Sequence, residues 1–440
     1  MKKKLLNFYL LIFINFIIAS NFTTCSKIPK DNSQKINDET IKMTMWHQWT
    51  DKPNLTNNLL KKVINKWNTQ NVKIKIIDEG VNVEQYKTKI RTALAVGEAP
   101  DIFFMWNGSF VEPYIESKNI LYLDPFLNDE IKDRMLPKAL DSFTHDGKIY
   151  GMPTFTFIAN LYCNKELFDK ANAKIPSTYD ELLESIKLLR QNGITPIVVG
   201  ERDRWPGMYW YDILAMRQAG NSKCIEALNN PKLYDQSDFR EAARKLIQLV
   251  RMDAFNDNIF GIGFKEMQDD YINGEAAMIY QGNWIEPIIE NSKTNIKNKT
   301  IAVTFPIIED GNGNSKELLG GNVDGFYINM DTKYKKESVE ALIFICENTS
   351  KEGYLSGEGL PCWKTQELDQ TNIPSLTKKS FSFMKSGSSF IEWWDTIFPA
   401  SEADVHKNLV AKLFADKISP ENFAKEMSKL KGDENYTGIK

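Results

Sequence analysis

The chain carries the sequence GEAAMIYQGNW at residues 274–284, where a short apolar run meets a glycine and a tryptophan. Residues 277–280 have strand character, Gly282 interrupts them, and Trp284 follows at once. Open α/β sheets bind ligands beyond the ends of their strands, so this pattern predicts a strand that ends in a ligand-facing loop. An ordinary core position would also explain Trp284, because tryptophans are usually well buried.

Upstream of this stretch, the chain alternates between strand and helix patterns. Residues 41–46 and 72–76 alternate apolar and polar side chains, and residues 100–106 form a third apolar run, which predicts three strands. The two segments between them each carry one apolar helical face, with Leu59, Leu60, Val63, Ile64 and Trp67 in the first and Tyr86, Ile90, Ala93 and Leu94 in the second. This β-α-β-α-β order implies a parallel sheet with right-handed crossovers.

Short motifs follow one another along most of the chain. They are GEAPDI at 97–102, YGMP at 150–153, LYCNKELF at 161–168, PSTYDEL at 176–182, GGNVDGFYI at 320–328 and GEGLP at 357–361. With residues 274–284, they resemble motifs of the extracellular solute-binding proteins of sugar ABC transporters, the family of the maltose-binding protein. Cys163 stands where that family has an aromatic residue. The resemblance covers residues 41–430, and its specificity comes from the order and spacing of the motifs.

The resemblance implies an α/β fold of the periplasmic-binding-protein type II, with two α/β lobes joined by crossover hinge segments and the ligand cleft between them. Lobe 1 would comprise residues 41–154 and 320–350, and lobe 2 residues 155–319 and 351–440. The hinges are expected near residues 154–157, 320–324 and 350–353. A separate physical pattern supports one helix of lobe 2, because Thr178 and Glu181 have the spacing of a capping box.

The same resemblance implies the function of a substrate-binding component of an ABC transporter. Such a protein captures a mono- or oligosaccharide in the interlobe cleft and delivers it to the permease subunits in the membrane. It catalyses nothing, requires no cofactor or metal, and is expected to be a monomer.

Sugar chemistry indicates which side chains would form the site. Aromatic rings cover the C–H faces of a sugar, and planar amide or carboxylate groups can hold two adjacent hydroxyls. The candidate ligand-binding residues are Trp49, Trp106, Asn107, Trp205, Gln281, Asn283, Trp284, Asn322, Asp324, Trp393 and Trp394. Further polar candidates in the same loops are Gln48, Asp51, Arg202, Asp203, Glu392 and Asp395. About half of the candidate tryptophans are expected to contact ligand, and the others to lie in the core.

The N-terminus has the pattern of a targeting segment. Lysines at positions 2–4 precede an apolar run at 5–20 that is short for a membrane span, so residues 1–24 are predicted to be a signal peptide. The following NFTTCS at 21–26 resembles a bacterial lipobox, which implies lipidation of Cys25 and anchoring to a bacterial membrane, on the periplasmic or cell-surface side. Phe22 and Thr24 are unusual in a lipobox, so secretion with an unmodified Cys25 is the alternative. Residues 25–40 are predicted to be a flexible tether.

Composition and spacing exclude several other classes of protein. A chain of 440 residues is too long for one ordinary core, so more than one domain is expected. Its net charge is -3 and it has no basic cluster beyond the first residues, so it lacks the basic surface typical of nucleic-acid-binding proteins. The remaining cysteines match no zinc spacing, and the three histidines lie far apart. Cys346 and Cys362 could pair in an oxidising compartment or stay as buried free thiols.

Two rival functions remain at this point. A secreted glycoside hydrolase would also line a groove with aromatic rings, but it needs two facing carboxylates, and no motif places such a pair. The strand–helix alternation also stops too early for an eight-fold barrel. The second rival is the same fold binding a non-sugar solute such as a polyol or a peptide.

Overall fold

The computed structural model describes residues 40–50, 55–433, 436 and 438. The predicted signal peptide, the predicted lipidation site Cys25 and the candidate Asp51 lie outside these residues. Within the described ranges, none of the helices combines the length and the apolar character needed to cross a membrane.

Strands and helices alternate along the described chain. The strands are β1 (Ile41–His47), β2 (Ile74–Gly80), β3 (Ile102–Trp106), β4 (Thr144–His145), β5 (Lys148–Ile149), β6 (Gly151–Pro153), β7 (Phe155–Asn164), β8 (Thr195–Ile197), β9 (Ala276–Gly282), β10 (Thr300–Val303), β11 (Glu317–Gly321), β12 (Asp324–Ile328), β13 (Leu360–Pro361) and β14 (Ser389–Ile391). The helices are α1 (Leu55–Gln70), α2 (Val83–Val96), α3 (Glu112–Glu116), α4 (Asp129–Lys132), α5 (Lys165–Lys170), α6 (Tyr179–Gln191), α7 (Trp205–Ala219), α8 (Asn221–Asn229), α9 (Ser237–Arg251), α10 (Phe264–Ile272), α11 (Glu286–Glu290), α12 (Lys335–Ser356), α13 (Ser375–Ser386), α14 (Trp394–Ile397), α15 (Ala400–Phe414) and α16 (Pro420–Met427).

A first sheet has the strand order β2-β1-β3-β12-β6. Strand β1 pairs in parallel with β2 and β3, which confirms the β-α-β-α-β prediction, and β12 pairs antiparallel with both β3 and β6. Strand β2 begins two residues later than predicted and extends to Gly80. Its bounds follow from pairing with β1, whose register runs from Ile41–Ile74 to His47–Gly80.

A second sheet is built around the ten-residue strand β7. Its order is β14-β11-β7-β9-β8, and β10 and β13 also pair with β7. Strand β9 contains the apolar run predicted from residues 277–280, and every residue of β9 is buried. It pairs antiparallel with β7 and parallel with β8, so the tryptophan that follows it stands at the end of an interior strand.

The chain passes between the two sheets at short connections. Strands β6 and β7 belong to different sheets and are separated by Thr154 alone, and β11 and β12 are separated by Asn322 and Val323. Both connections coincide with predicted crossover segments. The third predicted segment, residues 350–353, lies inside α12. That helix ends instead at Gly357, whose φ of 88° is left-handed, and β13 then joins the second sheet.

The capping box predicted for α6 is formed with a shifted partner. The side chain of Thr178 accepts a hydrogen bond from the backbone N–H of Glu181 at 3.2 Å, as predicted. The Glu181 carboxylate instead accepts from the backbone N–H and the hydroxyl of Ser177, at 2.8 and 2.6 Å. These bonds lower the pKa of Glu181. The N-terminus of α6 is therefore capped by Thr178 and Glu181. Glu181 binds the residue before the N-cap, whereas a standard capping box would have it bind the N-cap residue itself.

The four cysteines of the described chain are buried and free. Cys362 Sγ lies 3.6 Å from the Ser350 hydroxyl, and Cys346 Sγ lies 3.6 Å from the carbonyl oxygen of Met152. Burial raises the pKa of Cys362 to about 12, so its reactive thiolate form is suppressed. Of the two alternatives for Cys346 and Cys362, the structure has the buried free thiols.

Candidate functional site

A cleft of about 800 Å³ is lined by residues from both sheets and from the helices around them. On the side of the first sheet, its wall includes Trp49 after β1, Trp106 at the end of β3 and Asp324 at the start of β12. On the side of the second sheet, it includes Phe157 in β7 and Trp284 after β9. Residues far apart in sequence therefore meet around one space.

A second depression, of about 840 Å³, lies on α9 and α16 and differs in character. Its lining contains no aromatic side chain. Its guanidinium groups are engaged, because Arg251 pairs with Asp416 at 2.9 Å and Arg244 with Glu421 at 3.1 Å. The aromatic cleft is consequently the stronger candidate for a ligand site.

Trp284 is the centre of one group of rings in this cleft. The distances from its ring centroid are 5.3 Å to Trp393, 5.4 Å to Phe157, 6.2 Å to Trp205 and 6.5 Å to Tyr209. We refer to these five residues as the Trp284 cluster. All of them line the cleft, and Trp284 itself is partly exposed.

The position of the Trp284 ring depends on Gly282. The ring folds back over this glycine, so that a Cβ added there would lie only 2.3 Å from Cζ3 of Trp284. Any larger residue would displace the ring. The glycine and the tryptophan of the sequence motif are thus parts of one local arrangement.

A second group of rings lies on the side of the first sheet. Trp49 and Phe104 have centroids 5.1 Å apart, as do Phe104 and Trp106, and Trp106 lies 5.5 Å from Phe110. We refer to these four residues as the Trp106 cluster. Within this cluster Phe104 is buried, whereas the rings of Trp49, Trp106 and Phe110 line the cleft. The cleft therefore presents aromatic surface from two different sheets.

Helix α7 supplies two members of the Trp284 cluster through its first turn. Trp205 and Tyr209 are four residues apart, so they share one face of the helix, and their ring centroids lie 5.5 Å apart. Trp210 points away from the cleft and packs on Phe255 and Tyr280. Of these two consecutive residues, Tyr209 therefore lines the cleft and Trp210 packs inside the protein.

Trp394 does not line the cleft with the other predicted tryptophans. Its side chain is 0% exposed and its ring stacks on His406 at a centroid distance of 5.6 Å and an interplanar angle of 30°. Tyr211 packs against it edge-on at 5.9 Å. Trp393 and Trp394 are consecutive at the start of α14, so their side chains point in different directions. We therefore remove Trp394 from the candidate ligand contacts.

Asn107 and Asn322 are buried and bind protein groups instead of lining the cleft. Asn107 Nδ2 donates to the carbonyl oxygen of Asn322 at 2.5 Å, and Asn107 Oδ1 accepts from the Tyr327 hydroxyl. Asn322 Oδ1 accepts from the Thr156 hydroxyl at 2.5 Å, and its Nδ2 donates to the carbonyl oxygen of Ala139 at 3.2 Å. Both amides hold the connection between β11 and β12 in place.

Gln281 and Asn283 likewise lie inside the protein. Asn283 Oδ1 accepts from the backbone N–H of Ile158 at 2.8 Å, and Gln281 Oε1 accepts from the backbone N–H of Gly282 at 3.0 Å. Neither residue belongs to the cleft lining. They support the turn that carries Trp284, while the ring itself reaches the cleft.

Four carboxyl groups line the cleft, those of Asp269, Asp324, Glu358 and Asp395. Asp324 is 8% exposed and Glu358 is 6% exposed, and burial raises the pKa of each to about 7. A hydrogen bond from the Thr56 hydroxyl to Glu358, 3.0 Å long, partly offsets this rise. The other two have cationic partners, because Asp269 pairs with Lys265 and Asp395 has Lys407 Nζ at 3.8 Å. At neutral pH Asp324 and Glu358 are therefore partly protonated, and no neighbouring cation holds either carboxyl in its charged form.

Sequence reasoning missed several residues of the lining: Phe155, Phe157, Tyr209, Phe264 and Glu358. Phe155 and Phe157 alternate along β7 directly after the crossing from the first sheet, which was an available signal. Glu358 stands between two glycines at the end of α12, and no pattern in the sequence marks it as a site residue.

Comparison with known proteins agrees with the fold. Residues 52–347 match the model of the bacterial extracellular solute-binding proteins. The chain belongs to this family. Because the family is extracellular, this solute-binding protein functions outside the cytoplasm.

Individual relatives cover different shares of the solute-binding protein. An uncharacterised ABC transporter extracellular-binding protein of Pyrococcus horikoshii is 27% identical over 58% of this chain, and the match spans 62% of that protein's length. The multiple sugar-binding protein of Streptococcus mutans is 21% identical over 73% of this chain and 76% of its own. A protein from a structural study of xylan utilization by Caldanaerobius polysaccharolyticus is 37% identical, with a TM-score of 0.85 over 88% of this chain and 99% of that one. The fold is therefore the type II periplasmic-binding-protein fold expected from the sequence.

Proposed function

We propose that this chain is the substrate-binding component of an ABC transporter and captures a carbohydrate in the aromatic cleft. The observation that carries the proposal is that the Trp284 and Trp106 clusters surround one space whose lining also contains carboxyl groups. Rings can cover the C–H faces of a sugar, while the carboxyl groups accept its hydroxyls. Two relatives support it, one named for sugar binding and one from a study of xylan utilization.

The two ring clusters favour an oligosaccharide over a single sugar. They lie on the sides of different sheets, and a ligand that contacts both buries more apolar area than one that contacts either alone. A volume of about 800 Å³ lies within the range of small-molecule sites. Xylo-oligosaccharides are the first ligands to test because the 37% identical neighbour comes from a study of xylan utilization.

A thermal-shift screen tests the proposed function. The panel contains xylo-, cello-, malto- and chito-oligosaccharides with their monosaccharides, together with polyols and short peptides. A ligand at 100 times its dissociation constant adds about 2.7 kcal/mol of stability, so a true ligand shifts the melting midpoint clearly. A shift with polyols or peptides alone would replace the sugar with another solute. Release of reducing ends from a bound oligosaccharide would show an enzyme instead of a binding protein.

Two lobes that close on the ligand form part of the proposal. Sheet membership supports residues 41–154 and 322–356 as lobe 1 and residues 155–321 and 357–440 as lobe 2, so the predicted boundaries at 319/320 and 350/351 each move a few residues along the chain. Closure brings the lobes together, so a saturating sugar is expected to lower the radius of gyration measured by X-ray scattering. Identical scattering with and without a bound sugar would rule out the closing motion.

We further propose that Cys25 anchors the protein to a membrane, with residues 1–24 removed as a signal peptide. The charged–apolar–cysteine pattern of the N-terminus supports this. The mature chain is expected to begin at a lipid-modified Cys25 and to partition with membranes, whereas Cys25→Ser should release it. Mass spectrometry that finds an unmodified N-terminus at another residue would leave a secreted protein without an anchor.

A further inference from the structure

Asp324 presents a carboxyl group to the cleft that no described residue binds. It is 8% exposed, and it makes neither a side-chain hydrogen bond nor an ion pair with another residue of the described chain. It begins β12 directly opposite Trp106 of β3, which places the carboxyl beside the Trp106 cluster. A buried carboxyl without a partner is costly, so its retention in a cleft points to a ligand group that satisfies it.

Glu358 adds a second acceptor to the same cleft. The hydroxyl of Thr56 donates to one of its oxygens at 3.0 Å, while no hydrogen bond reaches the other from a described residue. Gly359, the next residue, lies so close to the ring of Phe155 that an added Cβ would be 2.5 Å away. This packing fixes the turn that holds Glu358 in the wall.

The cations of the cleft do not offset these two groups. Among the described residues, the lining contains no arginine, and its lysines are Lys87 and Lys265. Each is paired within its own helix, Lys87 with Glu84 at 3.0 Å and Lys265 with Asp269. A ligand entering the cleft therefore meets unpaired acceptors and, in the part of the lining that the structure describes, no free basic group.

We propose that the cleft selects neutral oligosaccharides over acidic ones, with Asp324 and Glu358 as the residues that determine this specificity. The inference rests on the proposed carbohydrate function and narrows its substrate class. Hydroxyls of a neutral sugar donate to both carboxyl groups. Above a pH of about 7, where both carboxyl groups are mostly ionised, a uronic acid brings a like charge into the cleft and finds no unpaired cation among the described lining residues.

Isothermal titration of the full chain with matched sugars tests this selection. The probes are xylotetraose and the same tetraose with one glucuronic acid branch, and cellotetraose and its C6-oxidised form. The better neutral probe is expected to bind at least tenfold more tightly than its acidic partner. Equal or tighter binding of the acidic partner would overturn the inference while leaving carbohydrate binding intact. If no carbohydrate in this set or the thermal-shift panel binds, the proposed function itself fails.

Charge-removing variants separate charge from shape. Asp324→Asn and Glu358→Gln keep the size of each side chain. Each variant is expected to bind the acidic probe more tightly and to reduce the preference for the neutral probe at least threefold. Asp416→Asn, in the surface depression on α16, is the matched control and should leave the ratio unchanged. If neither variant at Asp324 or Glu358 changes the ratio, these residues do not determine the specificity. Circular dichroism confirms that each variant is folded before titration.

Discussion

Replacing Trp284 with alanine is expected to weaken carbohydrate binding at least tenfold, which corresponds to about 1.4 kcal/mol. The substitution removes the ring at the centre of the Trp284 cluster and leaves its neighbours without their shared contact. It also removes a cleft surface on which a sugar face would stack. Binding is measured by titration with the best sugar from the thermal-shift panel.

The stability of the Trp284 variant separates the two interpretations of this residue. Because the ring is partly exposed yet packs on other rings, its loss is expected to cost about 1–3 kcal/mol of unfolding free energy. Trp284→Phe, which keeps an aromatic face, is the control and should recover much of the binding. A Trp284→Ala protein that melts far lower but binds normally when folded would show that the ring is structural only.

Trp394→Ala is expected to have the opposite profile, with a loss of about 3–5 kcal/mol in stability. Its ring is 0% exposed, stacks on His406 and receives the edge of Tyr211. The indole N–H has no hydrogen-bond partner in the described chain, so the cost is one of packing. Chemical denaturation measures the loss, and Trp394→Phe, which leaves a smaller cavity, should cost less.

Binding by the Trp394 variant provides the second half of that comparison. The folded fraction is expected to bind sugar with an affinity close to that of the wild type, because the ring does not line the cleft. Near-normal melting with lost binding would return Trp394 to the ligand site. The two tryptophan substitutions together therefore test whether the cleft is correctly placed.

The sequence predicted the strand and helix order well because hydrophobic periodicity is a local signal. The apolar face of α1 and the alternation in β1 need no knowledge of distant residues. The bounds of β2 and the end of α12 were less predictable. Strand bounds depend on the partner strand, and α12 continues until a glycine adopts a left-handed conformation. The bounds of β2 and the end of α12 both depend on contacts with residues that are distant in the sequence.

The site was predictable in composition but not in the direction of each side chain. Position after a strand end was a sound guide to Trp106 and Trp284. It could not distinguish Trp393 from Trp394, because the backbone conformation at the start of α14 decides which of the two rings faces the cleft. It also placed Asn283 beside Trp284, although the amide turns inward to hold the backbone of Ile158. Glu358 reaches the cleft because the turn after α12 packs against Thr56 of α1, and a contact between such distant segments leaves no local signal in the sequence.

The crowding of Trp205, Trp284 and Trp393 gives the protein an internal optical reporter. Their rings lie in one cluster, with centroid distances of 6.2 Å between the first two and 5.3 Å between the last two. Indoles this close share excitation, so a sugar that covers one face alters the emission of all three. Interior rings such as Trp210 and Trp394 contribute a constant background. Ligand binding in the cleft is therefore expected to change the intrinsic tryptophan fluorescence of the unlabelled protein.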